Sequence, residues 1–133
     1  MNENELSKHI VDAAYEIHRT LGPGLLESVY EECMGRELSL RGISFKKQLS
    51  IPVKYKGLNL DCGLRLDLLV DDLVIVEIKA IEKVAPVHKA QLLTYLKITN
   101  IRLGLVINFN VELIRDGIHR VVNGLIEPAK VGD

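Results

Sequence analysis

The sequence predicts a single α/β domain with a mixed central sheet and helices on both of its faces. Three observations carry that expectation. Helical periodicity runs from Leu6 to Leu40, period-two alternation takes over at Phe45, and one further helical stretch separates two apolar β runs. The chain has 133 residues, a length that suits one domain over 1–133 and one hydrophobic core without staples.

In the first element, Leu6, Ile10, Ala13, Ala14, Ile17 and Leu21 recur at helical spacing over residues 5–20. Leu21-Gly22-Pro23-Gly24 then breaks the helix. A second helix is expected from about Leu25 to Leu40, with Leu26, Val29, Tyr30 and Cys33 on one face. Gly42 is a natural stop after it. Phe45 to Tyr55 reads as a strand, Lys56 to Asn59 as a turn, Leu64 to Val70 as a second strand and Leu73 to Ala80 as a third. Val74-Ile75-Val76 is apolar on both faces, which predicts a central, doubly covered strand. Pro86 suits the first turn of a helix reaching Thr99. Ile101 to Phe109 is another strand. Val111 to Leu113 and Ile118 to Val122 are expected as short strands or a closing element, and about 126–133 as a frayed tail. Helix, helix, three strands, helix, strand implies a mixed sheet with one crossover.

The formal net charge is −1, so the chain lacks the global basic signature of a nucleic-acid binder. Binding to phosphates would need a local basic patch. Cys33 and Cys62 form neither a metal motif nor a disulfide framework and read as buried free thiols in a reducing cytoplasm. The acidic, polar N-terminus is not a signal peptide, and no apolar run approaches a membrane span. The expectation is a soluble cytoplasmic protein.

Candidate chemistry lies on the third strand, Val-Ile-Val-Glu-Ile-Lys-Ala. Glu77 and Lys79 are two residues apart and share a face, while Val74, Val76 and Ile78 take the other. Charges on a central apolar strand are costly unless paired or metal-bound. A structural salt bridge is the plain alternative. Asp67 is a lone acid in an apolar run leading into Asp71-Asp72. A two-residue turn there would set Asp67 opposite Val76 and put the two acids on opposite faces. They share a face only if the loop has three residues or a bulge shifts the register.

Two carboxylates and a main-chain carbonyl, such as that of Ile78, can hold a hard cation such as Mg²⁺ beside a phosphate. Such an ion polarises phosphorus and acidifies its water, and a nearby lysine can orient that water. Glu27 lies near a helix N-terminus, where an acid is favoured in any case. Gln91 and Tyr95 are one helical turn apart and share a face, which ordinary amphipathic packing also explains.

Gly24-x-x-Glu27-x-x-Tyr30 resembles the signature of the GxxExxY proteins, small members of the PD-(D/E)XK nuclease superfamily. The similarity runs from about Ile10 to Val122. It is carried in order by Gly-Pro-Gly-Leu-Leu-Glu-Ser-Val-Tyr, Arg-Leu-Asp-Leu-Leu-Val, Val-Glu-Ile-Lys-Ala, His-Lys-Ala-Gln-Leu-Leu-Thr-Tyr-Leu and Gly-Leu-Val-Ile-Asn-Phe. Leu66 stands where the literal motif has proline. The resemblance implies a restriction-endonuclease-like αβββαβ core with a mixed sheet flanked by helices. It implies that Asp67 and Glu77 bind metal, that Lys79 is catalytic, and that Glu27 is a further acid at the metal. It also implies that Gln91 and Tyr95 support the site and the substrate backbone, with His88 and Arg65 as further positioning candidates.

The expected function is therefore Mg²⁺-dependent hydrolysis of DNA or RNA phosphodiesters, with Mn²⁺ as a substitute. The alternative is a non-catalytic nucleic-acid- or protein-binding module that keeps the fold. The hairpin register discriminates between these readings. So does the placement of Lys46, Lys47, Lys54, Lys83, Lys89 and Arg120, which would gather around one cleft in a nuclease. A two-fold homodimer would place two sites on a duplex, and the sequence leaves that open.

Overall fold

The computed structural model describes residues 1–126, so the expected tail lies, from residue 127 on, outside the described residues. Helices α1 (Glu3–Leu21) and α2 (Glu27–Leu40) are followed by strands β1 (Phe45–Tyr55), β2 (Leu58–Val70) and β3 (Val74–Lys79). Helix α3 (Pro86–Thr99), strand β4 (Leu103–Asn108), a short 3-10 turn at Ile114–Gly117 and strand β5 (Ile118–Val122) complete it.

Five strands lie in the order β1-β2-β3-β4-β5, so β3 is central as its apolar run predicts. β3 and β4 are parallel, joined through α3, and the other neighbours are antiparallel. Alternation along the strands divides the core in two. Leu68, Val70, Val74, Val76, Ile78 and Leu105 pack with α1 and α2 on one face. Leu69, Ile75 and Val106 pack with Leu92 and Leu96 of α3 on the other.

Local chemistry starts and stops these elements. The Asn2 side chain caps α1 by accepting the Glu5 N–H at 2.9 Å. Pro86 opens α3, where its missing N–H costs nothing. The β1–β2 turn is tighter than expected, needing only Lys56 and Gly57, at φ 46° and 85°, between the paired Tyr55 and Leu58. β2 therefore begins at Leu58 rather than Leu64. Asn59, Asp61 and Gly63 weaken the strand signal of that stretch, which is held by pairing to β1.

Two expectations are corrected. Val111 to Leu113 is not a strand, and the Val111 carbonyl instead lies 2.8 Å from Nε2 of His18. Cys33, on α2, is only half-buried, and Cys62 is exposed because the β1–β2 hairpin runs past the edge of the core. No helix among the described residues is long and apolar enough to cross a membrane.

The α1–α2 connection is fastened by Tyr30. Its ring stacks on Phe109 with centroids 4.5 Å apart. Its hydroxyl donates to the Gly22 carbonyl at 2.6 Å and accepts from the Leu25 N–H at 3.1 Å. Tyr30→Phe keeps the stack and loses both bonds, so urea denaturation is expected to register a loss of about 1–2 kcal/mol. Tyr30→Ala also removes the ring and is expected to cost about 3–5 kcal/mol.

Candidate active site

The loop between β2 and β3 has three residues. Asp71 and Asp72 adopt φ of 50° and 56°, Leu73 N–H donates to the Val70 carbonyl at 2.9 Å, and Val70 pairs with Val74. This is the register that lets the two acids share a face. The regular ladder runs only from Val70↔Val74 to Leu68↔Val76. One step further would set Asp67 opposite Glu77, and there side chains replace the backbone ladder. Ile78 N–H donates to Asp67 Oδ2 at 2.8 Å, and Asp67 N–H donates to Glu77 Oε2 at 3.3 Å.

The break is matched in β1. Lys47 pairs with Leu68 and Leu49 with Leu66, which leaves Gln48 facing Asp67 with a left-handed φ of 51°. Alternation inverts at this point. Leu68 and Val70 belong to the α1–α2 side, yet Leu64 and Leu66 belong to the α3 side. Both strands thus turn over at Gln48 and Asp67, a paired irregularity of the kind that re-aims side chains.

Glu77 follows Ile75 on the α3 face and is 6 % exposed. Its carboxyl is pushed up to about 9, first by burial and then by hydrogen bonding and charge repulsion from Asp67, with Lys79 pulling weakly the other way. Lys79 shares the face of Glu77 at the half-buried end of β3. Tyr95 reaches the same place from α3. Its hydroxyl is raised by burial and by the Glu77 and Asp67 charges.

The strand polarity also places the Ile78 carbonyl. In a strand the N–H and C=O of one residue point to the same edge. Ile78 N–H turns toward Asp67, so its carbonyl faces the same opening, whereas the Lys79 carbonyl turns to β4 and accepts Phe109 N–H at 3.0 Å. An all-oxygen set of two carboxylates and one carbonyl suits a hard cation that retains water ligands. The burial of Glu77 beside a second carboxylate is the electrostatic conflict that such a cation relieves. Among the described residues no group of three or more His, Cys, Asp or Glu side chains is placed to hold a metal.

The other sequence candidates divide. Glu27 is exposed at the first turn of α2. Gln48 bonds Glu31, one turn further along α2, at 2.8 Å, and Lys47 bonds Glu32 at 2.6 Å. These contacts hold the start of α2 against β1 at the level of Asp67. Gly24 takes φ 99°, which strongly favours glycine, in the turn that delivers Glu27. Gln91 is exposed one turn before Tyr95. His88 is engaged at the start of α3, its Nδ1 accepting Ala85 N–H at 2.8 Å. Arg65 is exposed between Leu64 and Leu66, and alternation turns it away from the α3 face.

The basic residues do not gather around one cleft. Lys46 pairs with Asp72 and Lys47 with Glu32, Arg120 bonds Asn4 and Ser7, and Lys89 acts on His119, whose ring is lowered by burial and by that charge. Lys54 lies on the far hairpin.

Two contributors escape sequence reasoning. One is Gln48, which has no signal beyond its place in the alternation. The other is Asn108, 1 % exposed at the end of β4. Its amide accepts Ile81 N–H at 3.1 Å and donates to the Ile81 carbonyl at 2.9 Å, clamping the segment just after Lys79. A single amide ending an apolar run was its available signal, since buried polar groups must be bonded.

A match to the family model of the PD-(D/E)XK nuclease superfamily covers residues 4–121. The fold and the acidic strand pair thus define a nuclease-like class of protein, and the chain belongs to the PD-(D/E)XK nuclease superfamily. No curated protein and no solved structure matches the chain.

Glu77 makes the metal-free protein pH-sensitive. Its folded value of about 9 exceeds the ordinary 4.5, so between those limits the folded state holds a proton that the unfolded chain has lost. That stabilising contribution is complete below the ordinary value and disappears as pH rises through the folded one. In EDTA, stability is expected to fall from mildly acidic to alkaline pH, as read by urea titrations. Glu77→Gln should flatten the slope and gain about 1–3 kcal/mol at alkaline pH. An unchanged slope in that variant would refute the assignment.

Proposed function

We propose that this chain is a divalent-metal-dependent nuclease that hydrolyses nucleic-acid phosphodiester bonds, and that it is one of the GxxExxY proteins. The observation that carries the reading is the pairing of half-buried Asp67 with buried Glu77, set on one face beside Lys79 where the β2–β3 ladder stops. A chain with only structural needs would place apolar residues there, because replacing buried charges with apolar groups is commonly neutral or stabilising. Superfamily membership supports the same class of chemistry.

Asp67, Glu77 and the Ile78 carbonyl would hold the ion, with Mg²⁺ as the resident metal and Mn²⁺ as a substitute. When bound, the ion supplies charge neutralisation at the phosphate and acidifies water. Lys79 orients the attacking water and stabilises developing negative charge. Tyr95 and Gln91 present polar groups to the substrate backbone from α3. Glu27 is the further acid. In its signature, Gly24 shapes the turn and Tyr30 anchors it, while Glu27 has no ion pair or hydrogen bond among the described residues.

The second reading, a non-catalytic binding module, is favoured by the scatter of Lys46, Lys47, Lys54, Lys89 and Arg120. It leaves the cost of burying Glu77 beside Asp67 without a purpose.

The deciding measurement is Mg²⁺- and Mn²⁺-dependent cleavage of single-stranded, double-stranded and branched DNA and RNA. Asp67→Asn, which keeps an acceptor for the Ile78 N–H, and Lys79→Ala are each expected to reduce the rate by about 10²–10⁴-fold. Glu27→Gln is expected to weaken metal affinity by about 10-fold or more, measured by Mn²⁺ titration. No cleavage of any substrate, or cleavage indifferent to the first two substitutions, selects the binding module.

A further inference from the structure

Beyond Val53 and Leu64, whose neighbours Leu49, Ile51 and Leu66 still pack on the α3 side, the β1–β2 hairpin leaves the body of the protein. β2 pairs with β3 only at Leu68, Leu69 and Val70, whereas its pairing with β1 continues to the turn at Leu58. Every residue from Lys54 to Gly63 is exposed, so both faces of the ribbon tip meet solvent. A two-stranded ribbon with no covered face is marginal by itself. The tip carries large apolar groups that no core needs, with Tyr55, Leu58 and Leu60 being 62 %, 56 % and 45 % exposed.

Its charge differs from that of the rest of the chain. Residues 49–66 contain Lys54, Lys56 and Arg65 against Asp61 alone, a local net charge of +2 in a chain whose total is −1. None of the three cations has an ion pair among the described residues, although Lys46 and Lys47, just outside the ribbon, are both paired. Lys56 lies instead over the Tyr55 ring at 5.4 Å. The ribbon is therefore a cationic, amphipathic arm whose base packs on the α3 side of the sheet, next along β2 from Asp67.

We propose that this arm grips duplex DNA by entering its major groove, which makes double-stranded DNA the substrate class. The inference rests on the nuclease reading above. The major groove of B-DNA, about 12 Å wide, admits a two-stranded β-ribbon. The major groove of duplex RNA is deep and narrow and excludes one. Lys54, Lys56 and Arg65 meet phosphates, and the apolar tip meets base edges and thymine methyl groups. A second copy of the chain is a poorer occupant. Like charge opposes it, and Pro52, at the register shift between Ile51 and Val53, removes a donor from the outer edge of β1.

The test uses the full chain without divalent metal, so that binding is read without cleavage. Fluorescence anisotropy compares a short DNA duplex, an RNA duplex and single-stranded DNA. Lys54→Gln with Lys56→Asn removes two charges, and asparagine tolerates the φ of 46° at the turn. Arg65→Gln is a second, separate variant.

DNA-duplex affinity is expected to fall about tenfold or more in the double variant, and the slope of log K against log salt to shrink by about 2. Mn²⁺-dependent hydrolysis of bis(p-nitrophenyl) phosphate should stay unchanged in the double variant. Wild type that does not bind the DNA duplex, unchanged duplex affinity in the variants, or equal loss on RNA duplex overturns the proposal. So does a wild-type dimer that the double variant splits in sedimentation. If wild type cleaves no nucleic acid with Mn²⁺, the nuclease reading fails, and the anisotropy still decides the arm.

Discussion

The structure turns on one exchange of hydrogen bonds, in which Asp67 and Glu77 take over the β2–β3 ladder. Backbone ladders are self-propagating, and a strand pair parts only where something else satisfies its donors. Here the Asp67 carboxylate accepts the Ile78 N–H, and Glu77 accepts the Asp67 N–H. The strands can then separate without stranding buried polar groups. The opening leaves the Ile78 carbonyl, buried but turned toward the Asp67 edge, outside the ladder and sets two carboxylates side by side. The same break frees β2 from β3, so that the hairpin continues outward as a ribbon.

Much of the surrounding architecture stabilises this point. Gln48 turns β1 over in step with β2, and its amide bonds Glu31 of α2. Tyr30 pins the approach to that helix through its hydroxyl and its stack on Phe109. Asn108 clamps the chain leaving β3, fixing the end that carries Lys79. Leu92 and Leu96 hold α3 on the sheet face that Glu77 occupies, which brings Tyr95 close enough for both acids to raise its hydroxyl. Helices α1 and α2 seal the opposite face with an aliphatic core. The apolar halves of the strands thus support a polar patch that would be unstable without them.

The energetic character of the site is a compromise between folding and chemistry. Burial next to Asp67 makes the charged form of Glu77 unfavourable, and nearby Lys79 offsets only part of that. Perturbed carboxyl groups concentrate at functional sites because chemistry needs charges that folding would avoid. A hard cation would satisfy both carboxylates at once, which is why the donor set reads as a candidate metal site rather than as a structural ion pair.

Much of the fold was legible in the sequence because periodicity reports burial directly. Leu6 to Ile17 at helical spacing, the doubly apolar Val74-Ile75-Val76 and Pro86 each point to one local structure, and the structure has them. The acids were legible as chemical oddities, since Asp67 and Glu77 interrupt runs that are otherwise apolar. What sequence could not supply was register. Whether Asp67 and Glu77 share a face depends on one loop residue, and Asp71-Asp72 fits a two-residue or a three-residue turn equally well until pairing with β1 and β4 selects one. The paired turnover at Gln48 and Asp67 was likewise invisible, because it arises from cooperation between two strands and from no propensity of either. Composition determined an aliphatic α/β domain with costly acids in its sheet, while tertiary pairing decided that those acids meet, because face and register are properties of strand pairs.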